Sequence, residues 1–368
     1  MGTRLSKSRR LADVGLTRLM VHAIADSSFN QYKGPLRAFL YDAKTNGYRL
    51  DTPEEIDWCL ARFLDDLCYL ENADFGKASK TYSGLTHLVP ELRDNLPRAA
   101  RALNSWQRLA NPAEGGPVPQ AALGLIIKHF LEVGDFTSAY VVLLSYDGVL
   151  RESDWESLTA QDVSVVAAGT APPQVALLLG SGARGLATKT GSDQGVVLDD
   201  AFLRAWTAGI REITAATAAL VPMAQVEFRR KWWQALAALG LEAMGPPHSL
   251  RHSRPSHDVL SGAMSLEEAR RRGRWLSLKS VQRYTKGHAL VAKKCKLTPE
   301  QLKQGADIWD DLPKMVVTLS EQGCLPHGSV QAAIVLKAAQ WALKPKGGGG
   351  KIEPETRPAQ GRRSAKRD

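Results

Sequence analysis

The chain contains 368 residues, of which 44% are hydrophobic, and this length predicts two folded domains rather than one. No apolar run approaches the ~20 residues that span a membrane, and the four cysteines lack the spacing of metal ligands. These properties argue against a membrane-spanning protein and against a zinc-binding scaffold. The formal net charge of +10 predicts a polyanionic partner.

The first third of the chain is predicted to be a basic arm (residues 1–26) followed by a helical domain (residues 27–110). In the helical domain, apolar residues recur at helix spacing, as in the stripe within residues 56–67. Thr52-Pro53-Glu54-Glu55 supplies an N-cap, a first-turn proline and a capping-box glutamate, which together indicate a helix start. Periodicity alone therefore predicts a helical bundle here.

Composition and periodicity divide the remaining chain into four segments. Val175, Leu177 and Leu179 alternate as in a half-buried strand, whereas most of the surrounding sequence has helical spacing. Glycine and proline mark the linker, and the glycine run and basic residues mark the tail. The segments are a linker at 111–118, a mixed α+β domain at 119–298, C-terminal helices at 299–343 and a disordered basic tail at 344–368.

Two arginine-containing segments of the second domain are candidates for binding phosphate. His248 and Arg251 are three residues apart and so share one face of a helical turn, and Pro246-Pro247 places them near a helix N-terminus. Arg151 lies in Gly148-Val149-Leu150-Arg151-Glu152-Ser153-Asp154, 100 residues before Arg251. Arginine donates two parallel hydrogen bonds to phosphate oxygens and keeps its charge at any working pH.

The order and spacing of these residues resemble the catalytic motifs of tyrosine recombinases. In that family, His-x-x-Arg is followed by His or Trp and, nine residues later, by the nucleophilic tyrosine; Trp275 and Tyr284 have that spacing. Thr188-Lys189-Thr190-Gly191 is similar to the family's lysine hairpin. Three details depart from the pattern: Gly148 is one residue too far upstream, Asp154 replaces glutamate, and Arg274 separates Gly273 from Trp275.

The resemblance implies a role for each of these residues in cutting DNA without metal, ATP or another cofactor. It implies that Tyr284 attacks the phosphorus, that His248 accepts or relays its proton, and that Lys189 protonates the departing oxygen. Arg151 and Arg251 would hold the non-bridging oxygens, and Trp275 would donate its indole N–H while packing the site. Taken singly, each residue has an ordinary structural explanation; their common register is what favours the catalytic one.

Basic residues concentrate around the predicted nucleophile, and such runs are usually solvated faces. Because these flank Tyr284, contact with DNA phosphates is the better explanation of their clustering. The residues predicted to contact DNA are Lys77, Lys80, Arg254, Arg271, Arg274, Lys279, Arg283 and Lys286.

The resemblance implies a mostly α fold with a small β-sheet, in which an N-terminal helical core-binding domain precedes a mixed α+β catalytic domain. The implied function is site-specific recombination or integration through a 3′-phosphotyrosyl intermediate on double-stranded DNA, with self-association into a tetramer. Two alternatives remain: a type IB topoisomerase-like enzyme, and a DNA-binding remnant of a mobile element that has lost catalysis. Family members often dock a C-terminal helix on a neighbouring subunit, which residues 330–341 would do unless they pack on their own domain. The target sequence and the cellular compartment are not indicated.

Overall fold

The structure is a computed structural model that describes residues 24, 26–110, 116–168, 171–186, 188, 191, 193–282, 285–326 and 328–344. The predicted fold class is confirmed: the described chain is mostly helical with one small three-stranded sheet. The chain divides into two compact units, residues 1–114 and 115–368, each with its own hydrophobic core. Lys189, Arg283 and Tyr284 lie outside the described residues, as do most of the predicted arm, linker and tail.

The first unit is entirely helical in its described part. The predicted helix start is confirmed, because Glu55 N donates to Thr52 Oγ1 and Thr52 N donates to Glu55 Oε2. The buried Asp57 carboxylate accepts from the backbone N–H groups of Arg98 and Ala99 at 3.0 and 2.8 Å, which caps the fourth helix from a distant part of the chain. The helices are α1 (Asp26–Thr45), α2 (Pro53–Tyr69), α3 (Phe75–Leu88) and α4 (Pro97–Ala110).

The second unit surrounds a small antiparallel sheet with helices. Its strands, in the order β1-β2-β3, are Val163–Ala168, Ala171–Leu179 and Gln194–Val197. Val175, Leu177 and Leu179 are buried on one face of β2, as their alternation predicts. The helices are α5 (Gln120–Glu132), α6 (Phe136–Asp147), α7 (Glu152–Glu156), α8 (Ala201–Ile213), α9 (Gln225–Leu239), α10 (Leu250–Leu260), α11 (Leu266–Arg272), α12 (Leu278–Gln282), α13 (Gly287–Lys294), α14 (Pro299–Asp310), α15 (Leu312–Glu321) and α16 (Val330–Ala342).

The last helix, α16, packs on its own unit, against α8 and α15. Gly209 of α8 makes room for Ile334, since a Cβ at Gly209 would lie 2.8 Å from the Ile334 side chain. Val335 and Ala339 are buried in the same contact. Of the two alternatives for this segment, packing within its own domain is therefore the one observed. Within the described ranges, no helix combines the length and apolarity needed to cross a bilayer.

Helices α5 and α14 approach each other closely because glycine lies on both sides of their contact. A Cβ at Gly305 would lie 2.1 Å from the backbone oxygen of Ala121, and one at Gly124 would lie 2.4 Å from the oxygen of Gly305. A side chain at either position would collide with backbone, which cannot turn away as a flexible side chain can. This contact holds α14, a helix beyond the predicted catalytic motifs, against the first helix of the unit.

We predict that Gly305→Ala lowers the free energy of unfolding of the second unit. Overpacking costs roughly 1–3 kcal/mol and occasionally more, whereas replacing a helical glycine by alanine gains about 1 kcal/mol. The collision is with backbone, so the overpacking cost should lie towards the upper end of its range and exceed the gain by about 1–2 kcal/mol. Chemical denaturation followed by tryptophan fluorescence measures the difference. Gln304→Ala, on the exposed side of the same helix, is the matched control; equal stability of the two variants would contradict the packing argument.

Candidate active site

Arg151 lies at the start of a short helix and is held there by a hydrogen bond from its backbone N–H. It is the N-cap of α7 in an extended conformation, and its N–H donates to Asp154 Oδ2 at 3.0 Å. Its guanidinium Nη1 lies 3.8 Å from the same oxygen, and the side chain is 14% exposed. In the described part of the chain this Nη1 has no hydrogen-bond partner. This Nη1 is itself buried, so an acceptor would have to enter the site to reach it.

The conformation of Val149 bears on one departure from the family pattern, the glycine that lies one residue too far upstream. Val149 stands where the family pattern has glycine, and its φ of +50° lies in the left-handed region that glycine adopts readily and β-branched residues rarely do. The glycine of this chain, Gly148, has an ordinary negative φ. The turn into Arg151 thus keeps a conformation suited to glycine while carrying a valine.

Arg251 is the second residue of α10 and is completely buried, with 0% of its side chain exposed. Its Nη1 donates to the carbonyl oxygen of Val149, and its Nη2 donates to that of Gly273 at 2.6 Å. The guanidinium carbon lies 5.1 Å from the ring centroid of Trp275, a cation–π distance. The predicted phosphate ligand is thus bonded to protein carbonyls in this structure.

Three arginines meet at one buried carboxylate, that of Asp154. Its Oδ2 lies 3.8 Å from Arg151 Nη1, 3.9 Å from Arg251 Nη1 and 3.2 Å from Arg274 Nη2. One negative charge among three positive ones leaves a net positive cluster, which favours a bound anion. The structure therefore brings Arg151 and Arg251 together from positions 100 residues apart in the chain.

His248 lies beside this cluster, in the 3₁₀ turn Pro247–Ser249 that leads into α10. The ring packs edge to face with His252, with centroids 5.3 Å apart, and the residue still reaches solvent. Partial burial lowers the pKa of His248, and the nearby positive charge of Arg251 lowers it further. The imidazole is therefore neutral near pH 7 and can accept a proton.

Trp275 is a buried packing residue whose position depends on Gly273. A Cβ at Gly273 would lie 2.0 Å from the Trp275 ring, so only glycine fits beneath it. Arg274, between them, has a φ of +57°, which turns the chain back so that the ring covers Gly273. The ring belongs to a small core cluster with Val149, Ala269 and Val281.

Arg274 and Arg254, both predicted to contact DNA, are bonded within the protein. Arg274 is 7% exposed and donates to the carbonyl oxygens of Gly148 and Val149 and to Asp154. Arg254 binds the carboxylates of Asp147, Asp199 and Asp258. Contact of either residue with DNA would require these bonds to break.

The other predicted DNA contacts differ in how accessible they are. Lys286 is buried, whereas Arg271 and Lys279 are exposed on α11 and α12. In the first unit, Lys77 pairs with Glu71 at 2.8 Å and Lys80 is exposed. The exposed residues among these are available to a polyanion without rearrangement of the protein.

Two further sets of basic residues were not predicted from the sequence. Arg272 donates to the Asp147 carbonyl and pairs with Asp199 at 2.6 Å, so it joins the ion-pair network of Arg254. Helix α4 exposes three arginines and contains no acidic residue. The three arginines of α4 are spaced by three and seven residues, which places them along one stripe of the helix, and this spacing is visible in the sequence. The partners of Arg272 within the protein are not visible in the sequence. The three are Arg98, Arg101 and Arg108.

The site offers cationic donors and the accessible imidazole of His248 rather than a set of metal ligands. Across the described residues, no group of three or more His, Cys, Asp or Glu side chains is arranged to hold a metal ion. Chemically, the arrangement can bind an anion through arginine and accept a proton through His248.

No protein-family model and no curated protein matches the chain. Among solved structures, it is similar to a crystal structure of XerA recombinase, with 13% identity, a TM-score of 0.34, and coverage of 82% of this chain and 96% of that one. It is also similar to XerH site-specific recombinase bound to a palindromic difH substrate in a post-cleavage complex, with 16% identity, a TM-score of 0.43, and coverage of 76% and 79%. Similarity of this extent does not assign the chain to a family.

Proposed function

We propose that this chain cuts and rejoins DNA through covalent attachment to Tyr284, in the manner of a tyrosine recombinase. The observation that carries the proposal is the convergence of Arg151 and Arg251 on Asp154, with His248 beside them. These residues come from two sequence motifs that lie about 100 residues apart in the chain. A net positive cluster with a neutral imidazole suits attack on a phosphodiester, where negative charge grows on the phosphoryl oxygens.

In the proposed reaction, the Tyr284 oxygen attacks phosphorus while its proton passes to His248. A tyrosine hydroxyl has an ordinary pKa of about 10, so it needs both a base and surrounding positive charge to react near neutrality. The lowered pKa of His248 keeps the imidazole in its proton-accepting form. Arg151 stabilises the charge that develops on a non-bridging oxygen, because its Nη1 still lacks a hydrogen-bond acceptor among the described residues.

The bond between phosphorus and the 5′ oxygen breaks as the phosphotyrosyl bond forms. The departing alkoxide takes a proton from Lys189, which leaves a free 5′ hydroxyl and a 3′-phosphotyrosyl link. Attack by the 5′ hydroxyl of another strand reverses these steps and rejoins the DNA. No energy source is consumed, because one phosphodiester is exchanged for another bond of the same kind.

Binding to DNA is proposed to depend on exposed basic side chains. Arg283, which lies outside the described residues, is proposed to contact DNA as well. Arg271 and Lys279 extend from the second unit, and Lys80 and the arginines of α4 from the first. Contacts of this kind read phosphate rather than base sequence, so they predict steeply salt-dependent affinity. Assembly of several copies on DNA is also proposed.

A second candidate function is reversible DNA binding without cleavage, as in a remnant of a mobile element. Arg251 favours it, because this side chain is fully buried and its two Nη atoms donate to the carbonyls of Val149 and Gly273. An arginine held in this way does not reach a phosphate until those bonds exchange. The two candidates differ in one observable, the covalent adduct.

We expect the unmodified protein to form a covalent adduct with nicked DNA, and Tyr284→Phe to bind the same DNA with unchanged affinity but form none. Only the nucleophilic oxygen is lost in this variant. A pool of nicked duplexes of varied sequence, denaturing electrophoresis and sequencing of the attached DNA measure both the adduct and the preferred site. Tyr41→Phe, an exposed tyrosine of α1, should retain the adduct. An adduct that persists in Tyr284→Phe would refute the assignment of the nucleophile, and reversible binding by the unmodified protein alone would favour the remnant.

The rate of adduct formation at subsaturating DNA should fall as the pH drops through the pKa of His248 in the free protein. Because burial and Arg251 lower this pKa, the midpoint should lie below the ordinary histidine value of about 6.5. His248→Asn should be slower by ~100-fold or more and lack this pH dependence. His288→Asn, at an exposed position of α13, should keep it. A midpoint at or above the ordinary value, or an unchanged profile in His248→Asn, would exclude His248 as the base.

Replacing the bridging 5′ oxygen of the selected DNA by sulfur should rescue Lys189→Ala. Sulfur leaves without a proton, so a variant that lacks only the general acid recovers, whereas on normal DNA it should be slower by ~100- to 10,000-fold. Arg151→Ala is the control and should remain slow on both substrates, because its proposed role is charge stabilisation. Recovery of both variants, or of neither, would show that Lys189 is not the acid.

A further inference from the structure

We propose that Arg274 is a positioning residue, which holds Val149 in its left-handed conformation and thereby fixes Arg151 and Arg251 around Asp154. The proposal rests on the proposed function only for its activity measurement. In physical terms, hydrogen bonds from the guanidinium of Arg274 offset the strain in the backbone of Val149, which lies in a distant segment of the chain.

The strained element is Val149. Its φ of +50° brings a β-branched side chain into the region where Cβ crowds the following carbonyl oxygen. The side chain is buried against Trp275 and Val281. Such conformations persist only where surrounding contacts favour them over relaxation to negative φ. Contacts from other segments must therefore hold Val149 in this conformation.

Two guanidiniums hold the carbonyl group of Val149. Arg274 Nη2 donates to this oxygen at 2.9 Å, and Arg251 Nη1 donates to the same atom. Arg274 Nη1 also donates to the preceding carbonyl, that of Gly148, at 3.1 Å. Relaxation of Val149 would rotate its carbonyl away from both donors at once.

Arg274 can make these contacts because its own backbone is turned. Its φ of +57° makes it a second non-glycine residue in the left-handed region, and the two left-handed residues are joined by the Arg274 side chain. The planar fork reaches Gly148, Val149 and Asp154 together, which a lysine ammonium on a flexible stem cannot do in one fixed geometry. Burial lowers the pKa of Arg274 to about 10, so the group is still charged near neutrality.

The consequence for the site follows from the chain order. Val149 is two residues before Arg151, so its conformation sets the direction in which α7 begins. It is also an acceptor for Arg251. A shift of about 1 Å at a catalytic group can slow a reaction ~100-fold. Arg274 thus acts on the reaction through other residues rather than through the phosphate.

The test is a double-mutant cycle in the full-length chain, with Arg274→Met, Val149→Gly and the combined variant. Arg271→Met removes an arginine of the same segment that is 73% exposed and is the matched control. Two readouts need no catalysis: the midpoint of chemical denaturation, and the pKa of His248 from NMR titration of its ring. The pKa of His248 is lowered first by burial of the ring and then by the nearby charges of Arg251 and Arg151, so it reports whether the ring keeps its packing and these cations stay close. The third readout is the rate of adduct formation at saturating DNA.

We expect Arg274→Met to lower the denaturation midpoint, to raise the His248 pKa towards the ordinary value and to slow adduct formation ~100-fold at unchanged DNA affinity. Val149→Gly relieves the strain, because glycine adopts positive φ freely, but it also loses the buried contacts of the valine, so its own midpoint is the reference for the combined variant. In the combined variant, glycine should restore the His248 pKa and most of the rate, although the charge of Arg274 is still absent. Arg271→Met should leave the His248 pKa unchanged.

A combined variant whose His248 pKa and adduct rate stay at the Arg274→Met values would overturn the proposal. So would a loss of midpoint on Arg274→Met that is as large in the Val149→Gly background as with valine present. If Arg274→Met does not fold, recovery of folding by Val149→Gly decides the same question. A failure of the proposed function is distinguishable: the unmodified protein would then form no adduct, while denaturation and titration would still show whether Arg274 holds Val149.

Discussion

The carboxylate of Asp154 is the constraint on which the rest of the candidate site depends. Burying a guanidinium is costly unless an opposite charge or several acceptors compensate it, and Arg251 is buried completely. Asp154 Oδ2 lies within 4 Å of Arg251, Arg151 and Arg274, and carbonyl groups supply the remaining acceptors. One carboxylate thus permits three cations to share a small volume, and a net positive charge remains there.

Local signals in the sequence predicted much of the fold. The capping box at Thr52 is determined within four residues, and the confirmed helix start follows from it. The alternation of Val175, Leu177 and Leu179 likewise depends only on burial of one strand face. The gathering of Arg151, His248 and Arg251 was predictable through the family resemblance, because spacing between motifs carries information that no single segment holds.

The rest was unpredictable because it depends on contacts between distant segments. Nothing near Val149 indicates a positive φ; the conformation depends on guanidiniums more than 100 positions away. The basic run from Arg251 onward shows the same limit. Arg271 is exposed, whereas its neighbour Arg272 is bonded to Asp147 and Asp199. Charge density in a sequence predicts an electrostatic surface only after the internal partners are known, and here several cations stabilise the fold instead.

The burial of Arg251 has a direct energetic consequence for the proposed reaction. Its Nη atoms donate to the neutral carbonyls of Val149 and Gly273, so contact with a phosphate requires an exchange of acceptors. Those carbonyl bonds are already charge-assisted by the guanidinium, and a phosphate oxygen adds a negative charge on the acceptor, which strengthens the bond further in a buried site. The anionic oxygens of bound DNA can therefore draw Arg251 from its carbonyl partners, provided that the released carbonyls find other donors. Arg274 already donates to the Val149 carbonyl, so that oxygen keeps a partner when Arg251 leaves it. The same arginine that holds the strained turn thus lowers the cost of presenting Arg251 to the phosphate.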